Sequence, residues 1–296
     1  MARYGFARIL SHIGGIAANY TEPFYSSLNT EILPFLMESL AEKSDWDILY
    51  LSDVRQENKL FAECNGLLAD KQFLCYIVQD HMNLAIDLSG GVDNYLSTIS
   101  NKLKSDLRAK RKRAINEYGE IRLKEIGRQN EVALYFDKFI EFSLHSFNKR
   151  EKKSSFENKR YSSFFREFLI LMDKNARLDA HALFSGDKIL AISFGYRFGK
   201  GLNLVLTGFD YKYKYVRPGY LLIEELIKET VRRKETYYNF YGYDRFYKSQ
   251  WSNKQAPLYK IFVMRNSLRG RFHKILFQIE KSLRSNKAIV SFFRRD

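Results

Sequence analysis

Three short strands in succession, each divided from the next by a glycine-bearing turn, constrain this chain more than any other stretch. Residues 178–184, 189–197 and 202–209 are rich in apolar and aromatic side chains. Ser185-Gly186-Asp187-Lys188 separates the first two, and Gly199-Lys200-Gly201 the last two. Glycine-bearing turns at that spacing close hairpins, so the segment predicts an antiparallel three-stranded meander. Pro218 then sits in the first turn of a helix reaching Lys234, where its missing N–H forfeits no bond. A strand at 237–241 follows, and then a polar, aromatic loop ending at Trp251.

Elements on either side complete an α+β chain. A strand at 121–126 and helices at 131–147 and 161–174 precede the meander. Further upstream, Ser89 is expected to cap one long helix with Leu96, Ile99, Leu103 and Leu107 on one stripe, ended by Gly119. Its section 102–113 carries seven Lys/Arg against one Asp, which predicts a half-buried helix with a positive outer face. That face fits a cofactor's phosphates, a phosphate-bearing acceptor, tRNA, or plain solvation. The first 88 residues read as strand 8–13, a loop, a helix from Asn29 or Thr30 to Lys43, strand 46–51, helix 57–68, and strands 72–78 and 83–88. After a strand at 258–264, a basic helix at 267–285 places Leu268, Phe272, Ile275, Leu276, Ile279 and Leu283 on one side. That side is expected to cap the core over 267–283. Contact with an anionic membrane surface is left open for 289–293.

A charge of +15 over 296 residues favours anionic partners or marks a generally basic surface, and says nothing about fold. Cys64 and Cys75 show neither metal spacing nor a disulfide framework, which suits a reducing, cytoplasmic setting. Residues 1–20 lack the apolar core of a signal peptide. No apolar run approaches the ~18 residues that span a bilayer. No metal-ligand cluster is visible, and neither are zinc-finger, helix-turn-helix or RNP signatures.

Four motifs carry a resemblance: the basic helix 102–113, Leu144-His145, Arg217-Pro218-Gly219, and 239–251 with Gly242, Asp244, Tyr247, Lys248 and Trp251. Together they resemble the GNAT acyltransferase superfamily, in particular its FemAB-like branch with the CelD-type cellulose-biosynthesis acetyltransferases. The likeness covers residues 85–265 well and the first 85 weakly. Two departures stand out. Asn239 replaces the family's strand Asp, and Tyr243 separates Gly242 from Asp244. The resemblance implies a mixed sheet flanked by helices, built as tandem GNAT-like domains. The first (1–88) is expected to be incomplete at its front, as from a truncated gene or late start codon. The second (89–296) would hold the chemistry, with a basic linking helix at 89–118 and the basic C-terminal helix.

The resemblance also implies that 202–209 and 237–241 splay around a thioester arm. The helix start after the first of them, Arg217, Gly219, Tyr220 and Leu221, would bind the cofactor's pyrophosphate. Acyl transfer to an amine or hydroxyl needs a proton acceptor and a stabiliser for the oxyanion. Asp244 is the expected base, with Lys248 and Tyr247 holding the acceptor or the oxyanion; an Asp244–Lys248 ion pair fixing the loop is the alternative. His145 and His181 are the histidines to test. Acetyl-CoA or another acyl-CoA is the expected donor, with no metal, and a saccharide or amine in envelope or exopolysaccharide building the acceptor. Two alternatives stay open: a FemAB-type aminoacyl-tRNA donor, and a non-catalytic acyltransferase fold that binds anionic polymer or membrane.

Overall fold

The computed structural model describes residues 2–4, 7–11, 37–40, 42–43, 45–57, 61–64, 73–127, 129–240 and 246–285. The chain divides into two compact units, residues 1–82 with 256–296, and residues 83–255. By this division the C-terminal helix falls in the unit of the N-terminal residues.

In the first unit the strands are β1 (Ala2–Tyr4), β2 (Ala7–Ser11), β3 (Ile48–Arg55), β4 (Phe73–Asp87, here to Met82) and β10 (Lys254–Arg265, here from Ala256). Their order is β1-β2-β3-β10-β4. β2 runs parallel to β3, and β10 antiparallel to it. Trp46, Leu49, Leu51, Val54, Cys64, Cys75, Ile261 and Val263 form the core. Burial leaves the Trp46 indole one donor to satisfy, and its N–H reaches the Leu40 carbonyl at 2.8 Å. The sequence split β4 at Gln79–Met82, where the apolar run breaks; the strand continues through it.

Helix α7 (Leu268–Ser285) does not lie as expected. Its core side is made by Gly270 and Phe277. A side chain at Gly270 would meet the Arg265 carbonyl oxygen at 1.9 Å, so glycine lets the helix start lie against the strand end. Phe277 packs on Phe262, with ring centroids 4.4 Å apart, and on Tyr76 at 6.0 Å. Leu268, Phe272, Ile275, Leu276 and Ile279 are exposed. Periodicity found the stripe but not the direction it faces.

The second unit holds residues 83–87 of β4, β5 (Ile121–Glu125), β6 (Leu178–Ser185), β7 (Lys188–Phe198), β8 (Gly201–Phe209) and β9 (Tyr237–Asn239). The order is β4-β9-β8-β7-β6-β5. The expected meander is β6-β7-β8. Among the described residues of this unit only the β8–β9 pair is parallel. On one face, helices α3 (Gln129–Asn148) and α4 (Lys159–Lys174) bury Phe136, Phe139, Phe142, Phe165 and Leu169 against Ala180, Ala182, Ile192, Phe194 and Leu206. Each such Phe contributes about 1.5–3 kcal/mol through burial, and edge-to-face contacts such as Phe139–Phe194 add specificity.

The other face carries α1 (Gly91–Thr98), α2 (Asn101–Tyr118) and α5 (Pro218–Arg232). The single long helix expected from Ser89 is two helices. Ser100 is extended, and its hydroxyl accepts from the Leu103 N–H at 3.2 Å, so it caps α2 and breaks the stripe. Gly119 ends α2 at φ 101°, as expected. Strand alternation turns Asp179, His181 and Ser185 toward this face. There Ser185 donates to the Ala114 carbonyl of α2. Asp179, 4% exposed, accepts from Arg197 (Nε, 2.8 Å) and from Arg233 (Nη1, 2.8 Å), the residue that ends α5. His181 Nδ1 stands 3.1 Å from the same carboxylate. The cluster ties the C-terminal end of α5 to the sheet, and so fixes where its N-terminus points.

Candidate active site

β8 and β9 pair in register only at Gly201–Tyr237, Leu202–Tyr238 and Asn203–Asn239. β8 then runs on to Phe209, while β9 stops. The two strands therefore part at the asparagine pair, and the β9-side edge of residues 204–209 has no strand partner among the described residues. The Asn239 amide donates to the Asn203 side-chain oxygen at 3.3 Å, at the floor of the fork. A register shift in the β7–β8 ladder, Phe194 facing Leu206 and Gly195 facing Leu204, leaves Val205 as an extra residue just past the fork. Such a bulge bends the strand and re-aims its edge. At the closed end, a side chain on Gly201 would meet the Tyr237 carbonyl oxygen at 2.6 Å, so the close approach of the strands requires glycine.

The chain leaves β8 through a 3-10 segment, Tyr211–Val216, and enters α5 at Arg217. Arg217 is left-handed, φ 50° and ψ 60°, a conformation costing a non-glycine residue about 1–2 kcal/mol. Its carbonyl accepts from the Tyr220 and Leu221 amides. Pro218 has no N–H, so the Gly219 amide is the first-turn donor left over. Among the described residues, a side chain at Gly219 would meet nothing within 4 Å. The helix start is therefore open space with a dipole-assisted amide facing it.

The expected anion-binding residues divide accordingly. Gly219 fits. Tyr220 and Leu221 spend their amides on Arg217, and the Leu221 side chain is in the core. The Arg217 guanidinium is half exposed. It lies 2.6 Å from Asp106, the one acid of the basic section of α2, and 5.1 Å from the centre of the Tyr220 ring. Farther along, Arg111 reaches Glu224 at 2.7 Å and Glu225 at 2.5 Å on α5. Part of the basic helix thus faces α5, while Lys102, Arg108 and Lys112 are exposed.

Residues 241–245, including the expected base Asp244, lie outside the described residues. Helix α6 (Phe246–Ser249) follows. Tyr247 and Trp251 bring their rings to 6.5 Å and 6.1 Å from that of Tyr220, whose hydroxyl donates to Gln250 at 2.7 Å. Burial raises the Tyr220 phenol, and so does Asp106. Lys248 is 7% exposed, and its ammonium donates to the Phe240 carbonyl at 3.2 Å, directly after β9. The structure thus gathers Arg217, Gly219, Tyr220, Tyr247 and Lys248 about the start of α5 and the end of β9. His145 is elsewhere: exposed on the last turn of α3, its ring 6.1 Å from Tyr211. Asn203, Asp106 and Gln250 were not anticipated, because each acts through a partner distant in sequence.

The first unit holds one group of possible metal ligands among the described residues, which the sequence did not show. Asp53, Asp80 and His81 bring ligand atoms within 4.8 Å of one another. Burial raises the Asp53 carboxyl. His81 lies 3.0 Å from Asp80, and the Lys260 ammonium 2.6 Å from the same carboxylate, so one cation already faces the group.

No curated protein matches the chain significantly. Among solved structures, FemX superposes with a TM-score of 0.58 at 10% identity, covering 82% of this chain and 78% of FemX. A conserved protein of unknown function from Bacteroides thetaiotaomicron VPI-5482 gives 0.57 at 15% identity, covering 79% and 74%. L-PGS from Bacillus licheniformis gives 0.50 at 13% identity, covering 78% and 72%. Likeness at these identities concerns the fold. The model of the acetyltransferase (GNAT) domain matches residues 101–249, half of the chain and all within the second unit, and the chain belongs to that family.

Proposed function

We propose that this chain transfers an acyl group, acetyl in the simplest case, from acyl-CoA to an amine or hydroxyl of a saccharide or amine acceptor used in envelope or exopolysaccharide building. The observation that carries this reading is the fork: a parallel pair that parts at Asn203–Asn239, beside a helix start whose Gly219 amide faces open space. The pantetheine arm carries amides, and the unpaired edge of 204–209 offers them main-chain partners in the manner of an added strand. The pyrophosphate would meet Gly219 and the Arg217 guanidinium. The acceptor attacks the thioester carbonyl, the tetrahedral intermediate forms, and CoA leaves as the thiol. Asp244 is the proposed base and Tyr247 the side chain that holds acceptor or oxyanion. Lys248, buried and bonded to Phe240, is proposed to anchor the end of β9 in reach of that site.

Release of free thiol from acetyl-CoA, followed with a panel of amine and saccharide acceptors, tests the reading. Acceptor-dependent release that is lost in Tyr247→Phe supports it; no release with any acceptor counts against it. The exposed cations Lys102, Arg108 and Lys112 favour one second reading, an aminoacyl-tRNA donor. RNA binding with a steep salt dependence and no CoA binding would select it.

A further inference from the structure

We propose that the outer face of α7 docks on an anionic lipid bilayer. At about 100° per residue, Leu268, Phe272, Ile275 and Ile279 fall within roughly a 60° arc, with Leu276 at its edge, almost opposite Gly270 and Phe277. Those two face the core of the first unit. The apolar arc therefore points directly away from it: Leu268 is 87% exposed and Phe272 59%. An apolar stripe of this length on a free surface marks an interaction site. Its chemistry is set by its borders. Arg269 flanks the arc on one side and Arg271 on the other, both exposed. Apolar residues between two cationic edges fit a headgroup layer, with the stripe entering the acyl boundary and the guanidinium groups at the phosphates. A second copy of the same face would bring Arg269 and Arg271 against their like, which charge repulsion opposes. Among the described residues no helix is long and apolar enough to cross a membrane, so the contact is lateral.

Sedimentation of the full chain with vesicles tests this without donor or acceptor, so it stands apart from the acyl-transfer reading. Two compositions serve: phosphatidylcholine alone, and phosphatidylglycerol with phosphatidylcholine at roughly 3:7. Binding to the anionic vesicles is expected, weakening with salt, with little on the neutral ones. Phe272→Ser with Ile275→Ser should lower partitioning by more than about tenfold. Both positions are exposed, so the melting temperature should stay unchanged. Arg269→Glu with Arg271→Glu should lower partitioning too, while Arg108→Glu with Lys112→Glu on α2 should leave it intact. The proposal is overturned by a wild type that stays in the supernatant with anionic vesicles. It is equally overturned if the α2 variant, rather than the α7 variants, abolishes binding. Wild-type dimers that the serine variant converts to monomers would assign the stripe to a second copy instead.

Discussion

Replacing Asp179 by Asn should loosen the unit that carries the site, with a pH signature of its own. The carboxylate is 4% exposed and receives Arg197 at 2.7 Å and Arg233 at 2.8 Å, with His181 beside it. Removing one partner of a buried pair costs about 3–5 kcal/mol, because the other charge is left in a poor medium. Arg197 is 31% exposed and keeps Glu125 at 3.4 Å; Arg233 is 15% exposed and keeps Glu229 at 2.5 Å. Water and these carboxylates recover part of the loss, leaving about 2–4 kcal/mol, or roughly 5–15 °C for a unit of this size. Burial alone would raise the Asp179 carboxyl above its ordinary 3.8, but His181 and then Arg197 outweigh it and hold the group below that value. A lowered folded-state value contributes stability that is fully present above 3.8 and lost as pH falls through the folded value. Urea unfolding across a pH series should therefore show a constant gap between wild type and Asp179→Asn from neutral pH down to the region of 3.8, closing only below it. Equal midpoints at neutral pH, or a gap that closes as pH rises, would refute the reasoning.

Three further substitutions bear on the site. Lys248→Met should destabilise by about 1–3 kcal/mol, since a charge-assisted bond to the Phe240 carbonyl is lost from a buried position. Unchanged melting together with abolished turnover would make Lys248 a reacting group instead. Gly201→Ala should cost about 1–3 kcal/mol and lower turnover, because its methyl would force β8 and β9 apart at the closed end; melting and thiol-release assays read both. Arg217→Gly should exceed Arg217→Ala by about 1 kcal/mol in stability, since only glycine adopts φ 50° without strain. Differential scanning calorimetry of the pair checks that difference.

The parts of this fold that were legible in the sequence are those set by local chemistry. The hairpins of β6, β7 and β8 follow from turns containing Gly186 and Gly199, the start of α5 from Pro218, and the end of α2 from Gly119. Local reading failed where two signals overlapped. Ile99 and Leu103 keep helical spacing across the break at Ser100, so the stripe hid the cap. Gln79–Met82 is polar enough to look like a turn, yet the strand passes through. On α7 the larger apolar stripe looked like the buried side, but a glycine and one phenylalanine face the core. The site divides in the same way. Gly219 at a helix start was visible, whereas the Arg217–Asp106 pair and the Asn203–Asn239 floor join residues far apart in sequence and appear only once the chain has folded.

The proposed acyl transfer requires a CoA thioester seated at the start of α5, and the melting temperature with and without acetyl-CoA reads this directly. At about 100 times its dissociation constant a ligand adds roughly 2.7 kcal/mol, a shift of several degrees. Gly219→Val should melt like the wild type when unliganded, since its side chain enters open space, and should lose the shift. A wild type that acetyl-CoA, CoA and a long-chain acyl-CoA all leave unmoved, or a Gly219→Val variant that shifts as fully as the wild type, would contradict it.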